Sequence, residues 1–345
     1  MTTNRGNQSV DSKKILFVYT GFSTFVKSDF DLLSTCHSVD KYHFTPVKGI
    51  FKNSLEMAKQ FFYLLFFGWK FDLFYCWFAD YHSFLPVLFA KLFGKKAIVV
   101  IGGYDVCRIR KLNYGAFCSP FRAWFCAGSM RLAGLILPVS RHVGRKAKII
   151  ARSTPQKLVY NCVTIKEPGD IISAKSDIIL TVGLINNERT FYLKGIDTFI
   201  ETARLLPGFR FEIVGIDQTG LAHKLGNLPS NLSLFDRVKP EELTAFYKNA
   251  KIYCQLSRSE SFGVSIAEAM TFGLFPIVTN EGGMPEVIGS VGAVVNRDPQ
   301  EIANLVKERI LKGGFPNENE IREEVEKRFT FEQRTRSILR LIGDI

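Results

Sequence analysis

The chain has 345 residues, 46% of them hydrophobic and 23% charged, and a net charge of +12. That length suits two domains of ordinary size with apolar residues enough for two cores. Seven scattered cysteines, none in a Cys-x-x-Cys pair or a His/Cys cluster, read as reduced thiols of a cytosolic protein and speak against a disulfide scaffold or a zinc site.

The charge is uneven. Residues 1–160 hold 23 Lys and Arg against 8 Asp and Glu, whereas residues 161–345 hold 22 against 25. A basic half beside a near-neutral half suggests that one domain meets a polyanionic surface, either membrane or nucleic acid. Met1 to Ser12 is polar, lacks an apolar core and reads as a tail, not a signal peptide.

Lys13 to Tyr19 is the first buried strand. It runs into Thr20-Gly21-Phe22-Ser23, a glycine turn at the carboxyl edge of an α/β sheet, where ligands bind. Gly21 is therefore a candidate for close backbone approach to a ligand, with a plain turn glycine as the alternative. Tyr42 to Val47 reads as a second strand. Leu55 to Trp69 and Phe71 to Phe93 are dense apolar and aromatic runs. Neither reads as a membrane span: Asp72, Asp80 and Pro86 interrupt the second, and the first is uninterrupted for only about 9 residues against the roughly 18 a span needs. Leu73 to Trp77 reads as a strand and Ser83 to Phe93 as a helix, either as aromatic core or as a surface that dips into a bilayer interface. Lys95 to Ile101 is the next strand, ending at Gly102-Gly103-Tyr104-Asp105.

Arg108 to Arg131 mixes bases with aromatics. Ser119-Pro120 is a helix start, with Ser as cap and Pro in the first turn. Phe121, Trp124, Phe125 and Leu132 can then line one stripe, and with basic flanks such a helix suits anionic lipid headgroups. Packing of the stripe into the core is the alternative. RNA binding by these residues has no motif behind it. Ala133 to Pro138 is a strand, Arg141 to Lys148 a basic helix, and Lys157 to Tyr160 a last short strand before a domain boundary near 161–176.

In the second half Asp177 to Gly183, Phe209 to Val214, Leu232 to Phe235 and Lys251 to Leu256 read as strands. The stretch from Gln255 to Met270 organises the chain: a strand end, a polar turn from Ser257 to Ser261, then helical spacing from Phe262 to Phe272. A strand, a tight turn and a helix N-terminus make an anion site, because the first N–H groups of the helix lack partners and carry its positive dipole end. Glu260 lies in the turn. Glu268 lies about two turns on, on the face looking back to the same mouth. Carboxylates beside a phosphate site accept hydrogen bonds from hydroxyls, here a sugar and a ribose, so the stretch reads as a nucleotide-sugar site.

Glu260 and Glu268 enclosing seven residues, with Ser261-Phe262-Gly263 after the first, resemble the signature of the family-4 retaining glycosyltransferases (glycosyl transferases group 1). The resemblance extends through Leu274 to Thr279, Gly282-Gly283-Met284-Pro285-Glu286, Ile179 to Gly183 and Lys194-Gly195. It covers residues 177–300 strongly and the first half in outline. It implies the GT-B fold: two Rossmann-like domains with mostly parallel sheets facing across a cleft, and a C-terminal helix crossing back to the first domain. The expected divisions are a tail over 1–12, an acceptor domain over 13–165, a donor domain over 166–329 and a returning helix over 330–345.

By that resemblance Glu260 binds the sugar hydroxyls and supports an oxocarbenium-like centre. Ser261, Phe262, Gly263 and Val264 offer backbone N–H groups to sugar and phosphate, and Glu268 holds the ribose. Val238 meets the base, Gly283 forms a second glycine turn near the sugar or phosphate, and the Gly21 loop approaches the donor phosphates. Relatives commonly carry Arg after the glycine at 183, where this chain has Leu184, so Lys194 with Arg189 is the expected diphosphate clamp. Gly102 stands where relatives carry a histidine that contacts the transferred sugar. Gly103, Asp105 and His82 are the candidates on the acceptor side, with a solvated helix-start position as the more ordinary fate of His82.

The expected activity is retaining, metal-independent hexosyl transfer from a nucleoside diphosphate sugar, UDP or GDP in the first instance, with no bound cofactor and no metal site. A lipid-linked glycan or lipid at the inner face of the cell membrane is the expected acceptor, as in surface-polysaccharide or glycolipid synthesis, with the basic aromatic half resting on anionic lipid and no role for nucleic acid. A soluble small-molecule or protein acceptor, and a non-catalytic sugar-nucleotide-binding protein on the same fold, remain the alternatives.

Overall fold

The computed structural model describes residues 12–46, 50–164 and 175–344. The chain divides into two compact units. The first holds residues through Val139, Val143–Val159 and Glu332–Ile345, and the second holds Ser140–His142 and Tyr160–Phe331.

The first unit alternates strand and helix: β1 Lys14–Tyr19, α1 Thr24–Ser34, β2 Ser38–His43, α2 Ile50–Phe67, β3 Leu73–Trp77, α3 Tyr81–Leu92, β4 Lys96–Ile101, α4 Pro120–Leu132, β5 Leu135–Pro138 and, from Val143 onward, α5 Arg141–Ile150. The strands pair in parallel in the order β2-β1-β3-β4-β5. Burial on both faces explains the unbroken apolar runs: every residue of β3, and β4 from Ala97 onward, is inaccessible or nearly so. The helices start where their caps place them. Asp80 and Ser83 form a capping box at α3, and the Ser119 hydroxyl accepts from the Arg122 N–H at α4 with Pro120 behind it.

The second unit continues with β6 Ile178–Ile185, α6 Glu188–Leu193, α7 Ile196–Leu205, β7 Arg210–Ile216, α8 Ala222–Leu225, β8 Leu232–Phe235, α9 Pro240–Asn249, β9 Ile252–Gln255, α10 Val264–Thr271, β10 Phe275–Thr279, α11 Met284–Ile288, β11 Ala293–Val295, α12 Pro299–Lys312 and α13 Glu318–Arg328. Its sheet is parallel in the order β11-β10-β9-β6-β7-β8. The strand order turns back between β6 and β9, so the carboxyl ends of those two strands flank the crevice where open α/β sheets bind ligands. In the first sheet the same reversal falls between β1 and β3. The last helix, α14 Phe331–Gly343, groups from Glu332 onward with the first unit. Two doubly wound parallel sheets with the C-terminal helix returned to the first unit are the GT-B architecture that the sequence predicts.

Three local expectations are corrected. The second strand is Ser38–His43, not Tyr42 to Val47. After His43 the chain leaves the sheet, and Val47 lies outside the described residues. Lys157 to Tyr160 forms no regular strand. It runs beside β5 with one parallel bridge, Ile136 to Gln156, and backbone bonds from Lys157 and Val159. The fifth strand starts at Leu135, because Ala133 and Gly134 serve as the exit from α4. The expected division at 165/166 lies outside the described residues.

The return of the C-terminal helix rests on one buried charge cluster. Arg334 of α14 donates from Nε to Asp29 Oδ1 at 2.5 Å and from Nη2 to Asp29 Oδ2 at 2.7 Å. Asp29, on α1, also accepts from Tyr75 Oη and Trp77 Nε1 at 2.7 and 2.8 Å. Neither charge reaches solvent, at 0% and 3% exposure. Removing one partner of such a pair strands the other in a low-dielectric interior. Asp29→Ala should therefore cost about 3–5 kcal/mol in urea unfolding. A cost within about 1 kcal/mol would show that the pair does not hold the helix.

Candidate active site

The site of the second unit is built on the strand reversal. β9 ends at Gln255 and passes into the turn Leu256 to Gly263. From β6 the chain runs through α6 to Lys194, which caps that helix. These two connections bring the central pair together: Lys194 Nζ lies 2.6 Å from Glu260 Oε2, both side chains part-buried. The second Glu260 oxygen accepts from the Ser261 N–H at 3.2 Å.

Backbone and side-chain ties fix this pair from several directions. The Arg258 N–H donates to the Leu193 carbonyl at 2.8 Å. The Arg258 guanidinium grips both Asp197 oxygens, at 2.8 and 2.6 Å. The Glu260 turn is thereby cross-braced to the α6–α7 junction that carries Lys194. Below the turn, the Gly283 N–H donates to the Glu260 carbonyl at 2.9 Å. Gly282, at φ +68°, passes so close that a Cβ there would lie 1.7 Å from the Glu260 carbonyl oxygen. Gly195, at φ +71°, would put a Cβ 1.9 Å from the Leu256 carbonyl oxygen. Glycine at both positions is a steric requirement. Behind the turn runs a buried polar chain. Tyr253 Oη donates to Gln255 Oε1, Gln255 Nε2 to Ser257 Oγ, and Thr279 Oγ1 to the Ser257 carbonyl, all within 2.8 Å.

α10 begins at Val264, with Gly263 as its cap. Glu268 is the fifth residue of that helix, so it stands just over one turn in and not the two turns expected. Tyr247 Oη lies 3.2 Å from Glu268 Oε2. Burial pushes the Glu268 carboxyl up to about 7, against the Tyr247 hydrogen bond, which pulls it down. Phe262 is buried, its ring 5.0 Å from that of Phe329, so its side chain is core and only its backbone can serve a ligand. Val264 and Ser261 keep partial exposure. Gly283 stands at the start of α11. Val238 is half-buried beyond β8, and Arg189 is exposed on α6, five residues before Lys194.

In the first unit, Gly21 follows β1 at the reversal, and a Cβ there would meet no atom within 4 Å. His82 is not solvated as expected. It is buried in the first turn of α3, with Nε2 2.7 Å from the Trp77 carbonyl. Since a carbonyl only accepts, Nε2 carries the proton, and burial holds the ring below its ordinary pKa and neutral. Asp105 is turned inward and accepts from the Ala79, Gly102 and Gly103 N–H groups at 3.1, 3.2 and 2.7 Å. Burial pushes its carboxyl up to about 7 against those bonds. Its oxygens hold the loop after β4. At Gly102 a Cβ would lie 2.0 Å from the Phe78 ring, so that ring fills the space a side chain there would need.

Sequence reasoning missed Arg258, Gln255 and Ser257 as supports of the turn, and Asp80 with Arg122 in the first unit. Arg258 finds Asp197 61 residues earlier and Arg122 finds Asp80 42 residues earlier, so no local pattern announces either pair. For Arg258 the one local signal is weak: a cation inside an otherwise small, polar turn.

Residues 172–328 match the protein family described as glycosyl transferases group 1. A phosphatidylinositol N-acetylglucosaminyltransferase component from Arabidopsis thaliana is 28% identical over 166 residues, which cover 45% of this chain and 36% of that protein. The chain thus spans little more than a third of that curated relative's length. A sucrose-phosphate synthase from Thermosynechococcus elongatus superposes with a TM-score of 0.77 at 15% identity, covering 96% of this chain and 98% of that one. The Anabaena HepE protein in complex with UDP and glucose superposes at 0.72 and 14% identity, covering 96% and 100%. The fold is GT-B. Among the described residues no group of three His, Cys, Asp or Glu is placed to hold a metal ion, and no helix is long and apolar enough to cross a membrane.

Two outcomes follow from the geometry. Gly282→Ala should cost about 2–3 kcal/mol, because the new Cβ overlaps the Glu260 carbonyl at a positive φ. Urea unfolding measures it, and a neutral result would mean the turn can shift. Glu268, with its folded pKa near 7 against an ordinary value of 4.5, binds more protons folded than unfolded across that window. Stability should accordingly fall as pH rises from 4.5 through 7, by on the order of 2 kcal/mol relative to Glu268→Gln. Parallel unfolding curves of the two proteins at pH 5 and pH 8 would refute that assignment.

Proposed function

We propose that the chain is a retaining glycosyltransferase of hexosyltransferase type. It moves a sugar from a nucleoside diphosphate sugar to a hydroxyl of a lipid-linked glycan or glycolipid. The observation that carries this is the Glu260–Lys194 pair at the strand reversal, held by glycine backbones that leave no room for adjustment.

The donor chemistry follows from the residues. Before the donor arrives, Lys194 neutralises Glu260. When a diphosphate enters, the ammonium is positioned to share that charge, and Glu260 accepts hydrogen bonds from sugar hydroxyls beside the anomeric carbon. As the glycosidic bond breaks, negative charge builds on the leaving phosphate. Lys194 and Arg189 stabilise it, doing what a metal ion does elsewhere, so no metal is required. Backbone N–H groups from Ser261 to Val264, at the mouth of α10, add neutral donors to sugar and phosphate. Glu268, in its ionised form, accepts from the ribose hydroxyls, and Val238 borders the base. The family resemblance assigns the acceptor's proton to the leaving phosphate itself. UDP is the first nucleotide to test, since HepE is described with UDP and glucose.

The lipid acceptor is supported by the first unit. Its helices α2 and α4 carry exposed aromatics, including Phe62, Phe66, Phe121 and Trp124, and Trp69 just beyond α2 is exposed as well. All lie on the half of the chain with the basic excess. A peripheral position on the inner face of an anionic membrane fits those features. The Arabidopsis relative carries phosphatidylinositol in its name. One observation favours a second reading, a sugar-nucleotide binder without turnover: Phe78 fills the space above Gly102 where family members place a sugar-contacting histidine. Slow donor hydrolysis without acceptor would eliminate it.

Thermal unfolding against UDP-, GDP-, ADP- and TDP-sugars tests the proposal. One donor at about 100 times its Kd should raise Tm by about 2–4 °C. Glu268→Ala should abolish that rise. Glu260→Gln should keep the nucleotide shift and lose on the order of 100-fold in turnover. No shift with any donor would remove the assignment, and an inverted anomer in the product would remove the retaining mechanism.

A further inference from the structure

The first unit has its own strand reversal, and a cavity of about 270 Å³ opens there. Its walls come from the ends of β1, β2 and β3 and from α2, α3 and α4; Phe44 and Pro46 make part of them apolar, and Thr20, Asn53, Asp80 and Arg122 supply polar groups. The polar groups are fixed before any ligand arrives. Arg122 Nε spans the two Asp80 oxygens at 2.9 and 3.0 Å, and its Nη2 closes on the same carboxylate. Nη1 donates to Tyr104 Oη at 2.9 Å, with the guanidinium 4.8 Å from that ring's centre. The neutral His82 ring, with its Nε2 proton committed to Trp77, keeps Nδ1 as an acceptor. A carboxylate, a guanidinium, a hydroxyl and an amide around one small cavity form a site for adjacent hydroxyl groups.

A second cavity of about 270 Å³ adjoins it. Asn53 and Tyr81 line both. The other walls are Ser54 and Met57 of α2 and Phe121 and Phe125 of α4. This space is predominantly apolar. Phe121 on its wall is 51% exposed, and Trp124, 60% exposed, has its ring centre 4.9 Å from that of Phe125. A single apolar chain fits the second cavity, and its polar end would fall in the first. A basic loop connects to this end through Tyr104, which holds Arg122. Tyr104 packs against Tyr114 at 5.3 Å, and the exposed Arg108, Arg110 and Lys111 lie on the loop that Tyr114 closes by pairing with Ile109.

We propose that these two joined cavities are one binding site for an anionic membrane amphiphile. Its hydroxyl-bearing head lies over the Asp80–Arg122 pair, its phosphate lies toward Arg108, Arg110 and Lys111, and its hydrocarbon chain lies between α2 and α4. The inference rests on the glycosyltransferase reading in that this amphiphile is the acceptor. It also moves the acceptor contacts away from Asp105, whose oxygens are spent on backbone. The site takes one lipid molecule by head and tail together, which differs from adsorption of a basic face to a charged bilayer.

Trp124, packed against Phe125 of the cavity wall, reports occupancy. The chain has three tryptophans, 69, 77 and 124, and Trp77 is buried, so Trp69→Phe leaves Trp124 as the exposed reporter. Lysophosphatidylinositol, added below its micelle concentration to the full chain, should shift Trp124 emission to the blue and saturate at one molecule per chain. Phe121→Glu should weaken binding at least fivefold through the tail, and Arg122→Gln at least fivefold through the head, with Arg122→Lys recovering part of it. Melting curves confirm that each variant is folded. Equal affinity for lysophosphatidylcholine would overturn head recognition. Equal affinity for soluble inositol phosphate, or indifference to Phe121→Glu, would overturn the tail groove. No saturable shift with any lipid would overturn the whole site. UDP titration of the same samples keeps the two ideas apart. Nucleotide binding without lipid binding sinks this inference alone, and lipid binding without nucleotide binding sinks the glycosyltransferase reading and the acceptor role while the lipid site itself stands.

Discussion

The second unit depends on how closely backbone approaches backbone around Glu260. Gly282 and Gly195 bring two neighbouring segments within contact of the turn's own carbonyls, at positions where a single extra carbon would overlap an oxygen. Hydrogen bonds from Gly283 and Arg258 then lock the turn to β10's exit and to the α6–α7 junction. The carboxylate and the ammonium are held 2.6 Å apart by that scaffold. Their own attraction is screened by partial exposure and would not fix the geometry alone. The polar chain through Gln255 and Ser257 completes the support, because each buried group there has a partner and a lost one would leave the others unsatisfied. A preorganised charge pair of this kind suits a reaction whose main demand is stabilising charge on a departing phosphate.

The first unit is organised around a different device. Its sheet buries aromatic strands on both faces, and a charged cluster inside it, Asp29 with Arg334, recruits the C-terminal helix. A buried ion pair adds little net stability compared with apolar residues of the same size, but it is strongly selective for its partner. Tyr75 and Trp77 satisfy the remaining capacity of the Asp29 carboxylate. Two side chains on one face of β3 therefore serve the helix, and the strand's end at Phe78 to Asp80 serves the surface cavity. Phe78 adopts φ +69° there, an uncommon conformation for a bulky residue. The same residue blocks the space above Gly102.

The two strand reversals carry opposite chemistry. The one between β6 and β9 gathers a lysine, a carboxylate and backbone N–H groups, all suited to an anion with sugar attached. The one between β1 and β3 gathers an internally neutralised Asp–Arg pair beside apolar walls. The charge asymmetry between the halves thereby acquires a local meaning. The excess Lys and Arg lie largely outside the first unit's cavity, where they can meet a surface, whereas inside it charge is balanced.

Much of the architecture was legible in the residues alone. β3 and β8 occupy the strands expected, and α4 starts at Ser119-Pro120 because capping chemistry is local. Buried parallel strands announce themselves as continuous apolar runs, and the Glu260 to Glu268 spacing marked the turn and helix that form the site. What could not be read was whatever depends on partners distant in the chain. The partner of Arg258 is Asp197, that of Arg122 is Asp80, and that of Asp29 is Arg334, 305 residues away. His82 reads as a solvated helix-start residue and Asp105 as an acceptor-side group, but each is buried by elements the local sequence does not name. The sequence by itself determined the element order, the parallel sheets and the position of the Glu260 turn, because hydrophobic period, caps and glycine turns act over a few residues. Only the tertiary structure decided which charges pair, which carboxyls are raised toward neutrality by burial, and that the cavity holding the Asp80–Arg122 pair shares a wall with a more apolar one, because those follow from distances between segments that no local pattern encodes.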